Sequence, residues 1–216
     1  MGLANEPYGL MLVMAKTRAK RVKLLLFDVD GVLTDGKLFF FPAIGAQSQQ
    51  IAERAAGHEG QSGYGIQSTT ILEVKGFHAH DGIGVSLAKL GGLKTGLITK
   101  RISETVALRA KDLKLDYCEQ GILDKLSTFR KILRREGISE GEAAFVGDDV
   151  IDLAVMRHCG LAIAVANARE EVKDEAHFIT DHRGGEGALR DAVEYILRAQ
   201  GKLDGVLKQY ISGKRG

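Results

Sequence analysis

Four short apolar runs constrain this chain more than any other feature: VKLLLF (Val22–Phe27), KTGLIT (Lys94–Thr99), AAFVG (Ala143–Gly147) and LAIAVA (Leu161–Ala166). Each has the length of a strand and is apolar along most of it, which suits a strand buried on both faces. Between them, GIGVSLAKLGG, ISETVALRAKDL, KLSTFRKILRREG and DLAVMRHCG carry apolar residues at helical spacing, and several end on Gly. LDYCEQ (Leu115–Gln120) is a weaker strand candidate, and GALRDAVEYILRAQG a strong terminal helix. Strands alternating with helices predict an α/β fold, a doubly wound and mostly parallel sheet covered on both faces. Ligands of such sheets bind outside the carboxyl ends of the strands, so the chemistry is expected there.

One region breaks the rhythm. KLFFF (Lys37–Phe41) and TTILEVKGF (Thr69–Phe77) look like the two arms of a hairpin. Residues 42–68 between them are rich in Gly, Gln, Ser and Ala, and read either as a flexible loop tip or as a lid. Residues 1–20 read as a loose tail, with Met11 and Met14 as alternative starts. Residues 21–216 then form one domain, with 37–77 as its hairpin flap.

The length of 216 residues suits that single domain. With 44% hydrophobic and 27% charged residues, the chain matches neither a disordered nor a membrane protein. Its net charge of +2 is spread along the sequence and gives no argument for nucleic acid. GLMLVM near the start is too short for a signal-peptide core, and no later run is long enough to span a membrane. Cys118 and Cys159 stand alone, without zinc spacing, and read as reduced thiols of a cytoplasmic protein.

The strand ends carry an ordered set of polar groups. The first strand runs into Asp28 and Asp30, the second ends at Thr99, Lys125 opens a helix, and GDDVID supplies Asp148, Asp149 and Asp152. Five carboxylates on one rim repel one another without a cation. Their donors are all oxygen, and no His or Cys clusters with them, which suits Mg²⁺ and disfavours zinc. With Mg²⁺ and a lysine neutralising charge, one carboxylate is able to attack a phosphate monoester and become an aspartyl-phosphate. A second carboxylate two residues on is placed to protonate the leaving oxygen and then deprotonate water. A hydroxyl and an ammonium would hold the phosphoryl oxygens.

Each group also has a plain structural alternative. DVDG and GDD are ordinary turn sequences, Thr99 is a possible helix cap, and Lys125 a possible solvated lysine. It is their joint order at successive strand ends that favours phosphoryl chemistry.

With these residues the chain resembles the haloacid dehalogenase superfamily of phosphatases: FDVDGVLTDG as first motif, Thr99 as second, Lys125 as third, GDDVID as fourth. It is more closely similar to the 3-deoxy-D-manno-octulosonate 8-phosphate phosphatases. That likeness is carried by DVDGVLTDG, FHAHDGIG, GLITKRIS, YCEQGILDKL, FVGDDVIDLAVM, LAIAVANA and RGGEGALRDAVEYILRAQGKLD. The resemblance implies a Rossmann-like sheet with a small β-hairpin flap in place of a large cap. It implies Asp28 as nucleophile and Asp30 as general acid/base. Mg²⁺ would be held by Asp28, the backbone carbonyl of Asp30, and Asp148, with Asp149 and Asp152 nearby. Thr99 and Lys125 would bind the phosphoryl group. Lys100, Arg101, His80, Gly184, Gly185, Gly187 and Arg190 become candidates for handling the sugar.

The family assembles as tetramers through the hairpin, so a homotetramer is expected, acting on a small sugar phosphate on the route to lipopolysaccharide. Two departures stand out: Lys100 where many members have Gly, and His80 where many have Arg. Two other functions stay open, a nonulosonate 9-phosphate phosphatase and a catalytically silent subunit that binds Mg²⁺ or a sugar phosphate.

Overall fold

The computed structural model describes residues 6–42 and 71–213. Its elements are α1 (Glu6–Ala19), β1 (Leu24–Phe27), β2 (Phe39–Pro42), β3 (Ile71–Val74), α2 (Ala79–Leu90), β4 (Lys94–Ile98), α3 (Glu104–Asp112) and β5 (Tyr117–Glu119). There follow α4 (Lys125–Glu136), β6 (Ala143–Gly147), α5 (Leu153–Met156), β7 (Leu161–Ala164), α6 (Glu170–Asp174), β8 (Phe178–Ile179), α7 (Ala188–Ala199) and α8 (Leu203–Ile211).

Among the described residues, six strands form one sheet in the order β5-β4-β1-β6-β7-β8. Every neighbouring pair in it is parallel. β1, β6 and β7 are buried along their whole length, as strands covered on both faces must be. On one side α1, α2, α7 and α8 pack on one another, and α4 packs with α5. α7 shows why such segments are helical: Leu189, Ala192, Val193, Ile196 and Leu197 recur at the spacing of one face, and all are buried.

β2 and β3 pair antiparallel as the expected hairpin, joined at Phe39↔Val74 and Pro42↔Ile71. Of the long loop expected over residues 42–68, Pro42 ends β2 and the rest lies outside the described residues.

The loose tail expected over residues 1–20 needs correction. Residues 6–19 are helix α1, with Ala15 and Ala19 buried against the body of the domain. Gln200, just past α7, closes the end of α1: its amide Nε2 donates to the carbonyls of Ala19 (3.3 Å) and Val22 (2.8 Å). The apolar residues of α1 run as a block, not a stripe, so their spacing carried little helical signal. The segment DLAVMRHCG forms only the last residue of a 3₁₀ turn (Val150–Asp152) and the short α5. Strand β8 and helix α8 were not anticipated.

Candidate active site

Asp28 is pinned where β1 ends. Its backbone N–H donates to the Val146 carbonyl at 3.0 Å and continues the β1–β6 pairing for one more residue. The chain then turns tightly. The Val29 carbonyl accepts from the N–H groups of Val32, Leu33 and Thr34 at 2.9–3.2 Å. Gly31 has φ +91°, and a β-carbon there would overlap the Asp148 carboxylate, so only glycine lets these two strand ends meet.

Lys125 is placed by its helix. Asp124 caps α4 by accepting from the Ser127 N–H at 3.0 Å, and Phe129, Ile132 and Leu133 bury the inner face. As the first helical residue, Lys125 is itself buried. Its ammonium lies 2.9 Å from Asp28 Oδ2 and 2.7 Å from Asp152 Oδ1. Burial works to lower its pKa, but the charges of Asp28 and Asp152 and the bonds to them outweigh burial and raise it.

Carboxylate oxygens of Asp28, Asp148 and Asp152 lie within 4.8 Å of one another. Burial pushes the Asp28 carboxyl upward, the Asp152 charge adds to that, and Lys125 opposes both. Asp148 is pushed to about 8 by burial first, then by the charges of Asp152, Asp28 and Asp149. One lysine against three acids leaves negative charge in excess.

The three acids are not equivalent. Asp152 is fully engaged: Oδ1 with Lys125, and Oδ2 accepting from the Asp148 N–H at 3.0 Å. By contrast Asp28 Oδ1 and Asp148 Oδ1 are buried with no hydrogen-bond partner among the described residues. Two orphaned, buried, hard oxygens beside excess negative charge are what a small divalent cation requires of its ligands. Asp152 instead holds Lys125 and the Asp148 backbone. Asp149 is exposed, and its Oδ1 accepts from the Val150 N–H at 2.7 Å, capping the following turn.

Asp30 sits on the rim beside the hairpin. Lys75, its side chain fully buried, bonds Asp30 Oδ1, and Arg101 Nε lies 3.4 Å from Asp30 Oδ2. Glu73 ties these cations together: Oε2 accepts from Arg101 Nη2 at 2.9 Å, and Oε1 lies 3.3 Å from Lys75 Nζ. Sequence reasoning missed Glu73 and Lys75. The signal was present, since residues two apart on a strand share a face.

Thr99 is buried at the end of β4, and its hydroxyl accepts from the Arg101 N–H at 3.4 Å. Lys100 is half-buried in the turn that follows. Gly185 lies over the first turn, its N–H donating to the Val32 carbonyl at 3.1 Å. His80 is exposed, edge-on to His78 at 4.6 Å between ring centroids, and its ring lies near Gly187. The Arg190 N–H donates to Asp81 Oδ1 at 3.1 Å, while its guanidinium turns to Glu194 at 2.8 Å. The structure thus gathers Asp28, Asp148, Asp152 and Lys125, and sets Asp30 with Arg101 beside the hairpin. It leaves the side chains of Asp149 and Arg190 bonded elsewhere.

Comparison with known proteins gives the family. The family model described as haloacid dehalogenase-like hydrolase matches residues 97–190. The 3-deoxy-D-manno-octulosonate 8-phosphate phosphatase of Salmonella typhi is 33% identical over 197 residues, 91% of this chain and 90% of that protein. The enzyme of the same name from Yersinia pestis superposes with a TM-score of 0.73 at 31% identity, over 89% of each chain. The Moraxella catarrhalis enzyme, solved in complex with magnesium ion, phosphate ion and KDO molecule, gives 0.74 at 30% identity, over 96% of this chain and 99% of that one. With two orphaned carboxylates, a buried lysine and a rim acid on a scaffold so closely matched, the chain belongs to the 3-deoxy-D-manno-octulosonate 8-phosphate phosphatases, phosphoric monoester hydrolases of the haloacid dehalogenase-like type.

Proposed function

We propose that this protein hydrolyses 3-deoxy-D-manno-octulosonate 8-phosphate to the free sugar acid and phosphate, with Mg²⁺ as cofactor. The observation that carries the reading is the pair of buried, unpartnered oxygens, Asp28 Oδ1 and Asp148 Oδ1, beside a lysine already bound to Asp28. Asp28, Asp148 and the backbone carbonyl of Asp30 would hold the Mg²⁺. Bound there, the ion neutralises enough charge for a phosphate ester to approach a carboxylate.

The chain's own groups account for the remaining chemistry. An Asp28 oxygen attacks phosphorus as the bond from phosphorus to the sugar oxygen breaks, and Asp30 gives its proton to that oxygen. Asp30 then takes a proton from water as the water attacks the aspartyl-phosphate, which releases phosphate and restores Asp28. Lys75 and Arg101 hold the Asp30 side chain in place. Thr99 and Lys125 bind the phosphoryl oxygens, and Lys100, Arg101, His80, Gly185 and Arg190 surround the sugar.

A homotetramer built through the hairpin accompanies this reading. Phe39, Phe40 and Phe41 are 47%, 47% and 52% exposed on it, an apolar surface suited to burial between copies. A monomeric mass by light scattering would refute that assembly. A cytoplasmic location fits two free cysteines, and no helix among the described residues is long and apolar enough to cross a membrane.

The deciding experiment measures phosphate release from 3-deoxy-D-manno-octulosonate 8-phosphate and from a nonulosonate 9-phosphate, side by side with Mg²⁺. The reading expects higher kcat/KM on the first. Preference for the second would move the substrate while keeping the chemistry, and no turnover of either would leave only a binding subunit.

A further inference from the structure

Asn167 lies in the turn after β7 and belongs to none of the four motifs. That turn is tied by its backbone to the strand end that carries Asp148: the Arg169 N–H donates to the Asp148 carbonyl at 2.9 Å, and the Val165 N–H to the Gly147 carbonyl at 3.3 Å. The Asn167 side chain faces two other segments. Its Oδ1 accepts from the Gly184 N–H at 2.6 Å, and its Nδ2 reaches the Gly31 carbonyl at 3.5 Å. The amide orientation follows from chemistry, because the Gly184 N–H only donates and the Gly31 carbonyl only accepts.

The glycines show how tightly these segments are stacked. A β-carbon on Gly184 would collide with the Gly31 carbonyl oxygen. A β-carbon on Gly31 would overlap the Asp148 carboxylate on the other side. Gly31 is therefore pressed between Gly184 and Asp148, and Asn167 is the one side chain bonded to both Gly184 and Gly31 among the described residues. The loop that carries Asp30 thus cannot shift at Gly31 without moving against a metal-facing carboxylate.

From this geometry we infer that Asn167 is a positioning residue for the cation site: it clamps Gly184 onto Gly31 and so fixes where the Asp28–Gly31 loop and the Asp148 carboxylate sit. The Asn167 side chain is bonded to Gly184 and Gly31 and acts through Gly31. The inference rests on the Mg²⁺ site proposed above. Partners that orient ligands at one remove typically account for about 10- to 100-fold in metal affinity.

The test is Mg²⁺ binding to the whole protein, measured by isothermal titration calorimetry, with melting temperature and circular dichroism on the same samples. Asn167→Ala and Asn167→Ser are expected to weaken Mg²⁺ binding by about tenfold or more while remaining folded. Thr180→Val serves as the control. It removes neighbouring bonds of the same region, from Thr180 Oγ1 to the His182 carbonyl and from the Ala166 N–H to Thr180 Oγ1, without reaching Gly31. It is expected to lower the melting temperature and leave Mg²⁺ affinity within about twofold.

Unchanged affinity in the folded Asn167 variants overturns the inference. So does an equal loss in Thr180→Val, which would signal general loosening, and so does failure of both Asn167 variants to fold, which would make Asn167 a stability residue. If the unaltered protein binds no Mg²⁺ and releases no phosphate, it is the proposed function that fails instead.

Discussion

Replacing Lys125 by Met should turn a metal-binding site into a metal-dependent fold. Met keeps most of the side-chain volume and removes the charge. Lys125 is 4% exposed, and its ammonium separates Asp28 from Asp152. Removing one partner of a buried charge pair costs about 3–5 kcal/mol, because the other charge stays buried. For a chain of this size, one kcal/mol moves the melting temperature by roughly 2–4 °C, so the drop in chelator is about 6–20 °C. The size should depend on pH, since carboxylates are able to escape by taking up protons. Asp28 and Asp148 both have raised pKa values in the folded protein, Asp148 at about 8, against 3.8 for an ordinary aspartate. A raised folded-state value means stability that is complete below the unfolded pKa and lost as pH rises through the folded one. The metal-free protein should therefore lose stability between about pH 4 and about pH 8, and Lys125 limits that loss. In Lys125→Met the difference from the unaltered protein should be smaller near about pH 6 than near about pH 8.5. Saturating Mg²⁺ should restore most of it, because a ligand that binds only the folded state stabilises it. The assay is a set of thermal melts of both proteins in chelator and in Mg²⁺ at those two pH values. Equal melting temperatures in chelator near pH 8.5, or a deficit that Mg²⁺ leaves untouched, would refute the electrostatic account of this cluster.

Much of the fold was legible because burial on both faces leaves a plain mark on sequence. β1, β6 and β7 read as apolar runs since no face of them meets water. The acids were legible for a related reason: a carboxylate directly after a buried strand has little to do unless the strand end is a site. Elements without such a mark were missed. β8 is two residues long, and α1 has no apolar stripe. The site's supporting groups were missed for a different reason. Alternation puts Glu73 in β3 and Lys75 just past its end on one face of the hairpin arm, but which face meets Asp30 depends on how the hairpin lies across the rim, a tertiary fact. Asn167 bonds residues 136 and 17 positions away, so no local pattern distinguishes it from a common turn former.

Three further outcomes are expected. Asp28→Asn should reduce phosphate release by at least about 10³-fold with circular dichroism unchanged, since the amide is a poor nucleophile; a rate near that of the unaltered protein would remove Asp28 from the mechanism. Lys75→Met should lower kcat by about 10- to 100-fold by freeing the Asp30 carboxylate, a fraction of what general acid/base catalysis contributes, and steady-state kinetics with kcat within twofold would refute that aiming role. Asp81→Asn concerns stability alone. Asp81 is fully buried, with Oδ1 capping the start of α7 through the Arg190 N–H and Oδ2 without a partner among the described residues. Burial raises its pKa from 3.8 to about 6, against the backbone bonds that favour the charge. That shift is worth about 3 kcal/mol, present at low pH and lost as pH rises through about 6. An asparagine keeps an oxygen for the Arg190 N–H and carries no charge, so Asp81→Asn should flatten the fall in melting temperature between about pH 4 and about pH 6. At higher pH the variant should then melt no lower than the unaltered protein. If the slope survives the substitution, the buried charge at the start of α7 is not what makes the fold sensitive to pH in that range.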